Sequence, residues 1–138
     1  MSHEVFVNME TAKQLKQAGF DWEVRAHYCE KETSALLYDG YPSARWNSEL
    51  YDGCLSAPTQ AVAQRWLREV KHFEVEPYVL YNPKRYRAQV MVSGKMCEDG
   101  NSRRLTLNPT PSSNEPEFET YEIALEAGIR KCLSLINN

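Results

Sequence analysis

From residue 10 to residue 29 the apolar positions change period once, from helical to alternating. Leu15 and Ala18 fall on one side of a stretch from about Glu10 to Ala18, Asn8 stands where an N-cap belongs, and Gly19 stands where a left-handed C-cap belongs. That spacing predicts a first helix. In "WEVRAHYC", Trp22, Val24, Ala26 and Tyr28 then alternate with Glu23, Arg25, His27 and Cys29, the signature of a half-buried strand. "ALLY" returns after "EKET" as its hairpin partner. From Asp39 to Leu55 no period survives. The stretch is aromatic (Tyr41, Trp46, Tyr51) and repeats "YDG" at 38 and 51, each Asp-Gly a turn in which glycine supplies a positive φ.

Periodicity resumes at residue 58. Pro58 suits the first position of a helix running from about Thr59 to His72. Its apolar stripe is Val62, Ala63, Trp66, Leu67, Val70 and Phe73. Gln60, Gln64, Arg65, Arg68, Lys71 and His72 fall on the other side. Trp66 is therefore a core residue, and the arginines beside it point to water.

"VEPYVLYNPKRYRAQVMVSGKMCEDGNSRRLTL" reads as a three-stranded meander. A type I turn over Asn82-Pro83-Lys84-Arg85 sets Tyr81 opposite Tyr86, Val79 opposite Ala88 and Val75 opposite Val92. A two-residue turn at Asp99-Gly100 sets Gly94 opposite Leu105 and Val92 opposite Leu107. Both turns select one core face, which also holds Pro77 and Val90. Tyr78, Leu80, Arg87, Lys95 and Arg104 take the other. After the polar, proline-rich loop "NPTPSSNEPEFE" comes a last helix, capped by Thr120, with the stripe Tyr121, Leu125, Gly128, Ile129, Cys132 and Ile136. Glu122 near its start and Arg130 and Lys131 nearer its end suit the helix dipole.

These elements define an α+β chain: an N-terminal helix and β-hairpin, then a helix, a three-stranded antiparallel meander and a C-terminal helix. With 138 residues it fits one domain, in which 1–57 supply the helix, hairpin and aromatic loop and 58–136 the α-β-β-β-α unit. No apolar run approaches the roughly 18 residues that cross a bilayer. "MSHEVFVNME" has neither the basic segment nor the apolar run of a secretory signal, so the expected compartment is the cytoplasm, in a bacterial setting. The cysteines (Cys29, Cys54, Cys97, Cys132) form no CxxC pair, which argues against a zinc site and reads as reduced, mostly buried thiols. No metal or cofactor is expected.

The net charge of −3 hides a polarised distribution. Residues 65 to 104 carry nine basic against five acidic side chains, and the remainder carries seven against fourteen. The total stands against a dedicated nucleic-acid binder while leaving room for a basic face built from Arg65, Arg68, Lys84, Arg85, Arg87 and Arg104, interleaved with Tyr78, Tyr81 and Tyr86.

Three stretches, "TAKQLKQAGFDW", "APTQAVAQRWLREV" and "YEIALEAGIRKCLSLI", resemble a family of short uncharacterised proteins of bacterial phages and mobile elements. The resemblance implies a small cytoplasmic accessory protein and carries no catalytic residues. Residues 58 to 136 are also similar in element order to the double-stranded RNA-binding domain, with a tyrosine, a proline-bearing hairpin turn and a Val-x-Val-x-Gly strand in "PYVLYNPKRYRAQVMVSGK". Two departures stand against carrying the function over. That family has Gly-Pro-x-His at the hairpin, where this chain has Asn82-Pro83-Lys84-Arg85. It also opens its last helix with a lysine cluster that meets phosphates, where this chain has Glu115, Glu117, Glu119 and Glu122.

For catalysis there is no Gly-rich phosphate loop, GxSxG elbow or HExxH helix. His27 and Cys29 share a strand face but stand too far apart for a nucleophile–base hydrogen bond. His72 belongs to a solvated basic helix face, and turn chemistry accounts for Asp39 and Asp52. The reading is thus a non-enzymatic accessory protein acting through a protein partner or its own dimer, with Tyr41, Trp46 and Tyr51 as the candidate anchors. Nucleic-acid binding through the basic hairpin face is the alternative, and an uncharacterised small enzyme the second alternative. No membrane association is expected.

Overall fold

A computed structural model describes residues 4–29, 33–38, 47, 54–94, 97, 99–105, 107 and 115–138. Helix α1 spans Met9–Gln17. Its Asn8 cap accepts from the Thr11 N–H at 2.8 Å, and Gly19 closes it in the left-handed region at φ 98°. Strand β1 (Ala26–Cys29) lies between β2 (Thr33–Tyr38) and β3 (Cys54–Ser56), antiparallel to both. The alternation continues upstream of β1, with Val24, Ala26 and Tyr28 all buried.

Strand β3 is an addition to the expected hairpin, since residues 39–55 carry no period. A three-residue strand buried throughout has no polar face with which to alternate. Beside it, the buried Asn47 donates to the Phe20 carbonyl at 2.6 Å and accepts from the Ser56 N–H at 2.9 Å.

Cys29 and Cys54 face each other across β1 and β3 and are joined as a disulfide. This corrects the expectation of reduced thiols for that pair. Spacing along the chain could not reveal a pairing made by strand register. Cys97 and Cys132 remain free.

Helix α2 spans Gln60–Trp66 and passes into a π-helical turn over Leu67–Lys71, which stops at His72 in the left-handed region at φ 64°. Three expectations are corrected here. Pro58 lies before the cap: Thr59 is the N-cap, accepting from the Val62 N–H, and the Pro58 carbonyl accepts from the Val7 N–H at 3.0 Å. Val70, placed on the core stripe by an unbroken α period, is 44% exposed, because the wider π turn and the reversal at His72 rotate it to solvent. Gln60 is buried instead of solvated, and its side-chain amide donates to the Glu122 carbonyl and to Glu126 Oε1. Trp66 is core as expected, edge-on to Phe20 with ring centroids 5.4 Å apart.

Strands β4 (Phe73–Leu80), β5 (Arg85–Val92) and β6 (Arg103–Leu105) form the antiparallel meander in that order. The observed registers pair Val79 with Tyr86, Val75 with Val90, and Val92 with Arg103. They differ from the turn-based expectations (Tyr81 with Tyr86, Val75 with Val92, Val92 with Leu107) by even numbers of residues. Residues 81–84 form a longer reversal with a cis Asn82-Pro83 peptide, and residues 93–102 link β5 to β6, so neither tight turn forms. An even slip preserves side-chain parity, so the paired strands keep the expected faces: Val75, Ala88, Val90 and Val92 are buried, while Tyr78, Leu80, Arg87 and Arg104 lie opposite; Tyr81, expected on the core face, falls in the reversal instead and is 71% exposed.

Helix α3 (Tyr121–Ile136), capped by Thr120 through the Ile123 N–H at 3.1 Å, packs across β4 and β5. Its buried stripe is Ala124, Leu125, Gly128, Ile129, Cys132 and Leu133, whereas Tyr121, expected inside, is exposed at the helix start. Gly128 is where helix and sheet come closest. A Cβ there would overlap Val75 Cγ1 and lie 3.3 Å from Ala88 Cβ. Core side chains of α1, α2, both sheets and α3 form one continuous cluster. No helix among the described residues is long and apolar enough to cross a membrane.

Candidate interaction surfaces

Arg85 and Arg87 occupy one end of the outer face of the meander, and their environment follows from a single backbone contact. Tyr86 and Phe118 exchange both backbone hydrogen bonds, at 2.8 and 2.7 Å, as an isolated antiparallel bridge. In antiparallel pairing the residues flanking such a bridge stand opposite one another. The bridge thus sets Arg85-Tyr86-Arg87 against Glu117-Phe118-Glu119. Arg87 Nη2 donates to Glu117 Oε2 at 2.8 Å, and Arg85 Nη1 lies 4.0 Å from Glu119 Oε1. The central aromatics point the other way, toward α3, where Tyr86 meets Tyr121 edge-on. The hydrogen bond it donates to Glu117 raises Arg87 above its ordinary pKa against partial desolvation, and the Tyr78 hydroxyl adds to the rise.

The other basic candidates are dispersed. Arg104 donates to the Tyr78 hydroxyl at 3.4 Å. Lys84, at the tip of the reversal, lies 5.8 Å from the Tyr86 ring centroid. Arg65 pairs with Glu69 at 2.9 Å and stacks over Trp22, and Arg68 lies 3.9 Å from Glu74. Arg85 and Arg87 therefore gather at Glu117, Arg87 and Arg104 at Tyr78, while Arg65 and Arg68 sit on the α2 side. Of the six, Lys84 and Arg104 make no carboxylate pair among the described residues.

Tyr41, Trp46 and Tyr51 lie outside the described residues. Glu117 and Glu119 are the participants that sequence reasoning misplaced, being read there only as charges that repel phosphate. The signal was present as two complementary triplets, "RYR" and "EFE", each alternating charge and aromatic with the strand period.

The free edge of β4 is poorly suited to strand addition. Pro77 has no N–H, the Val75 carbonyl is taken by the Gln64 side chain, and Glu74 and Glu76 stand beside it.

A second surface lies along the outward side of α3. A groove of about 460 Å³ is lined by Val5, Phe6, Gln60, Phe118, Ile123 and Glu126, among others. It runs into a neighbouring groove of about 370 Å³ with which it shares Phe118, Ala127 and Arg130. Glu126 fixes one wall: its carboxylate accepts from the Gln60 amide at 2.8 Å and from the Asn8 N–H at 3.2 Å, tying α3 to α2 and to the start of α1. Val5 and Ile123 leave apolar surface exposed at the rim.

Among the described residues, no group of three or more His, Cys, Asp or Glu side chains could hold a metal ion. No protein-family model, curated protein or solved structure matches the chain.

Proposed function

We propose that this chain is a small, non-enzymatic accessory protein that acts through protein–protein contacts, in the manner implied by its resemblance to short proteins of phages and mobile elements. The observation carrying the proposal is the pairing of "RYR" with "EFE" across the Tyr86–Phe118 bridge. A basic face that engages phosphate keeps its guanidinium groups open for charge-assisted hydrogen bonds. Here Arg87 already holds the Glu117 carboxylate and Arg85 lies 4.0 Å from that of Glu119, so a phosphate would have to displace one while facing the charge of both. Arg65 and Arg68 are likewise beside Glu69 and Glu74. The exposed apolar side chains along α3 supply the contrasting feature, contact area suited to a protein.

The reading keeps the cytoplasm as compartment, where the thiol pool would hold the Cys29–Cys54 pair as the dithiol much of the time. Nucleic-acid binding stands as the second reading because Lys84 and Arg104 lack carboxylate partners among the described residues. An affinity pull-down from bacterial lysate, run with and without nuclease, separates the two. Captured proteins that survive nuclease treatment support the proposal. Capture that vanishes with nuclease overturns it in favour of the alternative.

A further inference from the structure

The charges on the outward face of α3 are arranged differently from those on the sheet. On the sheet and α2, Arg65, Arg68, Arg85, Arg87 and Arg103 each lie beside a carboxylate of the same chain. On α3, the Glu122 carboxylate and the Arg130 guanidinium form no ion pair among the described residues, and both residues are exposed. They are also segregated. Glu122 and Glu126 occupy the first half of the flank that lines the larger groove, and Arg130 the second. Between them lies Ala127, a small residue at which another helix can approach closely, and beside them Ile123 is 49% exposed.

A helix face that is acidic toward its N-terminal end and basic toward its C-terminal end is complementary to itself when reversed. Placing two copies antiparallel, with a two-fold axis beside Ala127, sets Glu122 and Glu126 of one copy against Arg130 of the other. The match occurs twice, because a two-fold interface uses the same patch on both subunits. The same operation carries each exposed Ile123 toward the groove flanking the partner's α3, where it would leave water. A parallel arrangement would instead bring like charges together. We infer that the outward face of α3 is a homodimer interface, in which two α3 helices pack antiparallel about Ala127.

This inference rests on the protein-contact reading and names a second copy of the chain as the partner. Sedimentation velocity over a dilution series upward from micromolar concentrations tests it. The wild type should show a reversible monomer–dimer equilibrium. Ile123→Ser should shift it toward monomer. Glu122→Arg and Arg130→Glu, each introducing two like-charge contacts per dimer, should each weaken dimerisation by about tenfold at low salt. The double variant Glu122→Arg/Arg130→Glu should restore the wild-type constant, because swapping both signs preserves the match. All three positions of change are solvent-facing, and far-UV circular dichroism verifies that each variant is folded. A wild type that stays monomeric at the highest soluble concentration overturns the inference, as does a dimer unaffected by all three single changes. Neither result touches the nuclease-resistant capture on which the broader proposal turns.

Discussion

Replacing Gly128 by alanine sets two effects of known size against each other. In the interior of a helix the change is worth about 0.8–1.0 kcal/mol in favour of alanine, from propensity alone. Gly128 sits in the middle of α3, yet the new Cβ would overlap Val75 Cγ1 and come within 3.3 Å of Ala88 Cβ. Val75 is fully buried, and its β-branched side chain has little rotameric freedom with which to retreat. Overpacking of this kind costs about 1–3 kcal/mol. The clash should win, leaving Gly128→Ala destabilised by about 1 kcal/mol, with a range from near zero to about 2. In a Val75→Ala background the overlapping methyl is gone, and the same substitution should turn stabilising by up to about 1 kcal/mol. The coupling energy of the cycle is then the overpacking cost itself. Urea unfolding followed by tryptophan fluorescence gives all four stabilities, provided the slopes agree. A Gly128→Ala protein that gains the full propensity term in the wild-type background, with no coupling to Val75, would refute the close packing of α3 on the meander.

Trp66→Ala should cost about 3–5 kcal/mol, whereas Arg68→Ala should change stability by less than about 0.5, since one is packed on Phe20 and the other lies at the surface; equal effects in denaturant titrations would contradict the orientation of α2. The Cys29–Cys54 bond closes a loop with a sequence separation of 25, for which chain entropy gives about 3.5 kcal/mol. Purified protein unfolded without reductant should therefore show two reactive thiols and with reductant four, and the Cys29→Ser/Cys54→Ser protein should melt earlier; four thiols in both conditions would exclude the bond. Burial pushes the Cys132 thiol from 9.0 up to about 12. Because the folded value is the higher one, its contribution is intact below about pH 9 and is lost as pH rises toward 12, so wild type should lose stability relative to Cys132→Ala across that window; parallel pH profiles of the two proteins would contradict the burial.

Where single periods run unbroken, the sequence displays the fold directly. The Asn8 and Thr120 caps, the Gly19 stop and the inward face of the meander are set by local chemistry and by parity, both of which can be read along a chain. Registers are less accessible, because they depend on loop closure. The reversal at 81–84 and the link at 93–102 both differ from the tight turns suggested by Asn-Pro and Asp-Gly, and only the evenness of the slips kept the faces unchanged. Val70 and Gln60 were misplaced for a different reason. A π turn interrupts the helical period without any glycine or proline to announce it, and Gln60 is drawn inside by Glu126, a partner 66 residues away. The disulfide and the Arg–Glu ladder are likewise products of strand pairing. Cysteines 25 residues apart and triplets separated by a proline-rich loop acquire their meaning only when the strands meet.

The central proposal is that the arginines of the hairpin face and of α2 are paired within the fold, and that the chain does not serve nucleic acid. Fluorescence anisotropy with duplex RNA, duplex DNA and single strands of each, at physiological salt, tests it most directly. The paired arginines predict binding no tighter than unspecific basic surfaces achieve, with Kd of about 10⁻⁴–10⁻⁶ M or weaker for all four. Nanomolar binding to any of them, falling steeply with salt and collapsing in Lys84→Glu/Arg85→Glu, would contradict the account.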